Sequence, residues 1–172
     1  MDNKHDILEL LRQVADGKVS PENAMLELKE APFEDLAYAK IDFHRSVRQG
    51  AAEVISGEGK TPEQIKGIVE RMGEKGCRNI LVTRISQETG DYLSRFLPID
   101  YHKIPRLGIA FPEDRPGRGN IVVATGGTSD MPVAEEAALT AEAMGNHVTR
   151  VYDVGVAGLH RLLSNLDGLM QA

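Results

Sequence analysis

Cysteine is almost missing from this chain, with Cys77 the only one among 172 residues. A lone thiol excludes an internal disulfide framework and fits a reducing compartment. No pairing of His with Cys has the spacing of a zinc site. Long apolar runs are missing as well. The opening "MDNKHDILELLRQ" is charged within its first few residues, and neither a signal peptide nor a membrane span is read there or elsewhere. The expected location is the cytoplasm, with no membrane partner. Positive charge is outweighed, since 20 Lys and Arg against 26 Asp and Glu leave a net charge of -6. That balance argues against nucleic acid as the main partner, while leaving room for a local basic site for a phosphorylated small molecule. The dinucleotide fingerprint G-x-G-x-x-G is absent, which disfavours hydride transfer on a Rossmann fold. "GEGKT" at 57–61 resembles a P-loop but lacks its first glycine, because Val54 stands there. Internal repeats and low-complexity tracts are not found.

What is present is the composition of a globular protein, 41% apolar and 27% charged, which excludes wholesale disorder. "DILELLRQVADGKVSPENAMLELKEAP" reads as two short helices, the first ended by Gly17 and the second capped by Ser20 with Pro21 following. In "LAYAKIDFHR", Ala37, Ala39, Ile41 and Phe43 alternate with polar neighbours, as in a half-buried strand. "TPEQIKGIVERMGEKG" predicts a helix with a Thr61–Gln64 capping box and an Ile65, Ile68, Val69, Met72 stripe. "NILVTRI" predicts a buried strand, and 97–111 one or two more. Residues 112–119 form a linker rich in proline, glycine and charge. Beyond it the pattern is βαβα, with strands at 121–125 and 147–152 and helices from about 132 and 158.

The expected fold class is α/β: an N-terminal α+β portion over 1–111, then an incomplete three-layer αβα domain with parallel strands over 120–172. Two strands and two helices cannot cover both faces of a parallel sheet. Another chain is therefore expected to complete that layer, unless the sequence is a fragment.

Two turns carry the candidate chemistry. "TGGTSD" joins a strand to a helix, where Gly126 and Gly127 admit a ligand to the backbone and the helix start offers amides to an anion. Thr128 and Ser129 add hydroxyls, and Asp130 suits a ribose hydroxyl or magnesium. A helix cap by Ser129 or Asp130 explains the same residues equally well. "YDVGVAGLHRLL" repeats the logic with Asp153, Gly155 and Gly158, followed by His160 and Arg161. Arg161 is the better phosphate candidate, because its planar fork matches that group. Adjacent strands ending in two such turns would form one crevice at their carboxyl ends. Glu135 and Glu136 read as partners of the helix dipole only. Arg45, Arg48 and Lys60 are further candidates for phosphate contact, although a solvated charged face explains them as well. Cys77 reads as a small apolar filler at the start of a buried strand, not as a nucleophile.

With those residues in view, the chain resembles the LarB family. The similarity rests on "GGTSDMPVAEEA", on "YDVGVAGLHRLL" and on "AKIDFHRSVRQGAAEVISGEGKTPEQI". The C-terminal portion also looks like the PurE fold of aminoimidazole ribonucleotide carboxylase. The resemblance implies nickel-pincer cofactor biosynthesis: carboxylation of the pyridinium ring of nicotinic acid adenine dinucleotide, with phosphoanhydride hydrolysis releasing AMP. It implies carbon dioxide or bicarbonate as co-substrate, magnesium near Asp130 or Asp153, and a homo-octamer. By resemblance Gly127, Thr128, Ser129, Asp130, Asp153, Gly155, Gly158 and Arg161 contact the substrate. The family's catalytic cysteine segment has no counterpart here, since the chain ends at "SNLDGLMQA". The expectation is a C-terminally truncated member that has no catalytic residue of its own and is inactive alone. Two alternatives stand beside it, a non-catalytic assembly module and a purine-type imidazole ribonucleotide carboxylase.

Overall fold

A computed structural model describes residues 3–30, 33–42, 54–114, 117, 119–170 and 172. The two short helices expected are α1 (Asn3–Ala15) and α2 (Pro21–Glu30), which pack on each other, with Gly17 at φ 69° ending the first. The Asn23 amide donates to Ser20 Oγ at 3.1 Å, the cap that the Ser-Pro pair announces.

The alternating segment is shorter than its pattern suggests. Strand β1 (Phe33–Asp35) pairs antiparallel with β2 (Lys40–Asp42), and residues between them form the turn. Ala37 lies at φ 70° and the Leu36 amide donates to the Ala39 carbonyl at 2.8 Å, so the two alanines bend the chain instead of lining a strand. Ile41 alone of the alternating set is shown buried. Phe43 and His44, like Arg45 and Arg48, lie outside the described residues.

The core forms around a mixed four-stranded sheet ordered β3-β4-β6-β5. β3 (Ile55–Ser56) and β4 (Ile80–Thr83) are parallel and joined through α3 (Pro62–Glu74), while β5 (Ile99–His102) and β6 (Leu107–Ala110) add an antiparallel hairpin. α3 forms for the reasons its sequence gives. Thr61 Oγ1 accepts from the Gln64 amide, the Gln64 side chain accepts from the Thr61 amide, and Ile65, Ile68, Val69 and Met72 are buried. It ends where Gly76 takes φ 83° and the Cys77 amide reaches back to the Met72 carbonyl. All four β4 residues are buried, and α4 (Gln87–Leu93) adds Leu93 beside Leu97.

The remaining sheet is a parallel pair, β7 (Asn120–Ala124) and β8 (His147–Val151), in register from Asn120↔His147 to Ala124↔Val151. α5 (Met131–Ala143) crosses between them and packs on both strands through buried Ala134 and Ala138. Short helices α6 (Leu159–Leu163) and α7 (Leu166–Leu169) follow. The α/β class expected from the sequence is borne out. Val151 is the only buried residue in these two strands, so one helix leaves much of the pair open. Asn79 ties the two sheets together: its Nδ2 donates to the Glu113 and Ala143 carbonyls at 2.9 and 3.1 Å, and its Oδ1 accepts from the Glu113 amide.

Candidate nucleotide site

Because β7 and β8 are parallel and in register, the turns leaving them emerge side by side at one sheet edge. They touch. A Cβ built on Gly155 would overlap the Gly126 carbonyl oxygen and lie 3.2 Å from its carbonyl carbon. Only glycine permits that approach, and the reason is the contact alone, because the Gly155 backbone (φ -61°, ψ 146°) is open to any residue.

Thr125 locks the corners together. Its hydroxyl accepts from the Asp153 amide at 3.0 Å, its carbonyl from the Val154 amide at 2.9 Å, and its own amide donates to Val151. Thr125 is buried at 5% exposure, and these bonds let Asp153 hold a left-handed φ of 59°. Thr125 was not among the expected site residues. A threonine placed where an apolar strand meets a glycine turn is the signal that would have found it.

The first turn runs through a 3-10 segment, Thr128–Asp130, into α5. Asp130 Oδ2 accepts from the Gly127 amide at 3.0 Å, so its carboxylate reaches back to the start of the 3-10 segment instead of capping α5, and occupies one donor otherwise offered to an anion. Thr128 and Ser129 are exposed, and neither hydroxyl is tied to a partner among the described residues. Gly127 is different from Gly155. Its φ of -151° is extended backbone, and nothing lies within 4 Å of where a Cβ would stand. Neither strain nor packing calls for glycine there, and the space above it stays open.

In the second turn Arg161 pairs with Asp153 through Nη1 and Oδ2, both side chains being partly exposed. This pair ties the guanidinium to the second turn through one of its nitrogens. Gly158 makes room for the Arg161 side chain, whose Nε would lie 2.7 Å from a Cβ there. His160 is exposed. Lys60 lies in the loop between β3 and α3, with Nζ donating to the Ser56 carbonyl at 2.9 Å, and no described contact brings it to either turn.

Magnesium finds no ready cage. Among the described residues no three His, Cys, Asp or Glu side chains gather to hold a metal, and Asp130 and Asp153 each have one oxygen committed. Cys77 precedes β4, in the turn after α3, and packs against the core. Burial pushes its thiol up, away from the thiolate a nucleophile needs. A cleft of about 240 Å³ lies elsewhere, lined by Asn79, Asp100, Glu113, Asp114 and Ala143 among others. It sits at the C-terminal end of α5, opposite the glycine turns. Among the described residues no helix is long and apolar enough to cross a membrane.

Residues 33–111 match the LarB/PurE-like N-terminal domain. That span contains the quoted stretch from Ala39 to Ile65, whereas the two glycine turns lie beyond it. The chain is also 29% identical, over 174 aligned residues, to the uncharacterized protein MJ0165 of Methanocaldococcus jannaschii. The alignment covers 96% of this chain and 68% of that protein.

Proposed function

We propose, from the match of residues 33–111 to the LarB/PurE-like N-terminal domain, that the chain is related to carboxylase-type enzymes and binds nicotinic acid adenine dinucleotide for ring carboxylation and AMP release. The observation that carries this reading is the contact of two glycine turns, Gly126 against Gly155, at the carboxyl ends of adjacent parallel strands. Open sheets of this kind take ligands at that edge.

In this reading the sugar-phosphate part of the dinucleotide lies over Gly127. The hydroxyls of Thr128 and Ser129 donate to phosphate oxygens, and the positive end of α5 supports their charge. Arg161, oriented by Asp153, supplies the cation. The free oxygen of Asp130 accepts from a ribose hydroxyl. Magnesium would arrive with the pyrophosphate, and no step is assigned to it. An electron-poor pyridinium does not attack carbon dioxide unaided, and in the resembled family a thiolate first adds to the ring. Cys77, half-buried against the core with its thiol pushed up, is not assigned that role. The chain is therefore proposed to supply nucleotide binding and not the nucleophile. Exposed Val156, Leu159, Leu163 and Met170, which follow β8 in the chain, support association with further copies.

Calorimetry with the dinucleotide tests the reading. Saturable binding competed by AMP is expected, with no incorporation of labelled bicarbonate by this chain alone. Absence of binding, together with a stable complex with another protein, would replace it with the assembly-module reading. Efficient label incorporation would overturn the assignment of Cys77.

A further inference from the structure

We infer that Glu135 is a positioning residue that holds the two glycine turns at one spacing, an inference resting on the nucleotide-crevice reading above. Glu135 lies on α5, one helical turn beyond Met131 and so just past the Thr128–Asp130 segment. Its Oε1 accepts from the Tyr152 hydroxyl at 2.8 Å, and Tyr152 immediately precedes Asp153 of the second turn. Its Oε2 accepts from Arg150 Nε at 3.3 Å, and the same guanidinium grips Glu142 at the far end of α5, with Nη2 to Oε2 at 2.9 Å. One carboxylate thus bridges the element that follows the first turn and the strand that feeds the second.

The packing explains why a polar bridge matters here. α5 meets the strands through Ala134 and Ala138, which bring helix and sheet close but offer no large side chains to interlock. Alanine faces resist sliding poorly, because register in packed interfaces comes from interdigitated side chains. The Glu135 side chain is only 18% exposed, so its bonds work in a partly desolvated setting. Arg150 stays charged, its pKa raised chiefly by the Glu142 bond. Helix-dipole stabilisation alone does not account for bonds to Arg150 of β8 and to Tyr152 just beyond it.

The test compares Glu135→Ala, Glu135→Gln and Tyr152→Phe with the wild-type chain. Amide resonances of Gly126, Gly127 and Gly155 are read without ligand, and AMP affinity is read by calorimetry. Glu135→Ala and Tyr152→Phe are expected to shift those glycine amides and to weaken AMP binding by roughly five- to tenfold, the scale of one net hydrogen bond. Glu135→Gln, whose carbonyl still accepts from Tyr152, restores both. Should Glu135→Ala fail to fold, Tyr152→Phe alone decides. Unmoved glycine amides in Tyr152→Phe would overturn the inference, as would equal losses in Glu135→Gln and Glu135→Ala. A wild-type chain that ignores AMP sinks the nucleotide reading instead, and the ligand-free amide shifts still judge the positioning role.

Discussion

Replacing each of two glycines by alanine separates the binding account from a packing account of the turns. At Gly155 the new methyl meets backbone only: the Gly126 oxygen, its carbonyl carbon at 3.2 Å and its Cα at 3.4 Å. No side chain can swing aside, so the corners must part. Overpacking of this kind costs about 1–3 kcal/mol. The reduced freedom of the unfolded chain returns about 0.4–1 kcal/mol, because φ -61° suits alanine. The net loss is about 1–2 kcal/mol, or roughly 2–8 °C in Tm for a chain of this size. At Gly127 the same methyl meets nothing within 4 Å and the backbone is extended. Stability should stay within about 0.5 kcal/mol of wild type or rise slightly. Binding should respond differently, since a phosphate seated against the Gly127 backbone is displaced by the methyl. A fall of about tenfold, or about 1.4 kcal/mol, is expected for the dinucleotide. Thermal melts and calorimetry on both variants read these quantities. If Gly127→Ala is as stable as wild type and binds the dinucleotide equally well, the open space over Gly127 holds no ligand and the reasoning fails.

Other perturbations test the frame around the site. Thr61→Ala should cost about 1 kcal/mol in denaturant unfolding by removing one half of the capping box, with little effect on nucleotide binding. Asn79→Ala loses three hydrogen bonds and places alanine at φ 51°, and should destabilise by about 1–3 kcal/mol. Asn79→Gly removes the same bonds but fits that φ, so it should fall between the two; equal stability of all three chains would contradict the role given to Asn79. Cys77 should react with iodoacetamide more slowly than free cysteine at pH 8, because burial raises its pKa from the ordinary 9.0. The folded state then keeps the thiol proton longer than the unfolded state, so stability should decline as pH rises through the ordinary thiol range. Cys77→Ser should lose that decline, which urea melts at several pH values would show.

Features written in short-range chemistry were legible. The capping box and apolar stripe of α3, the buried run of β4 and the βα turns after 124 and 151 all signal themselves within a few residues. Features decided by distant contacts were not. β3 has two residues and becomes a strand only by lying against Val82 and Thr83, while the one or two strands expected over 97–111 are there as β5 and β6, and only their pairing and the burial of β6 went unread. Ala37 and Ala39 imitated a strand's period while forming its turn. At the site, the two glycine turns could be read from the sequence. Their contact, the lock by Thr125 and the Glu135–Tyr152 bridge could not, because each joins residues 15 or more positions apart. The ion pair of Asp153 with Arg161 likewise was not legible, since spacing offered the arginine to a phosphate without showing the carboxylate that orients it.

The most direct measurement is a titration of the isotopically labelled chain with nicotinic acid adenine dinucleotide, followed through backbone amide resonances. The account predicts saturable shifts gathered at Gly127, Thr128, Ser129, Gly155 and Arg161, with the amides of α3 and β4 unmoved. Shifts that never saturate, or that gather around Asn79 and Glu113 at the opposite end of α5, would contradict it.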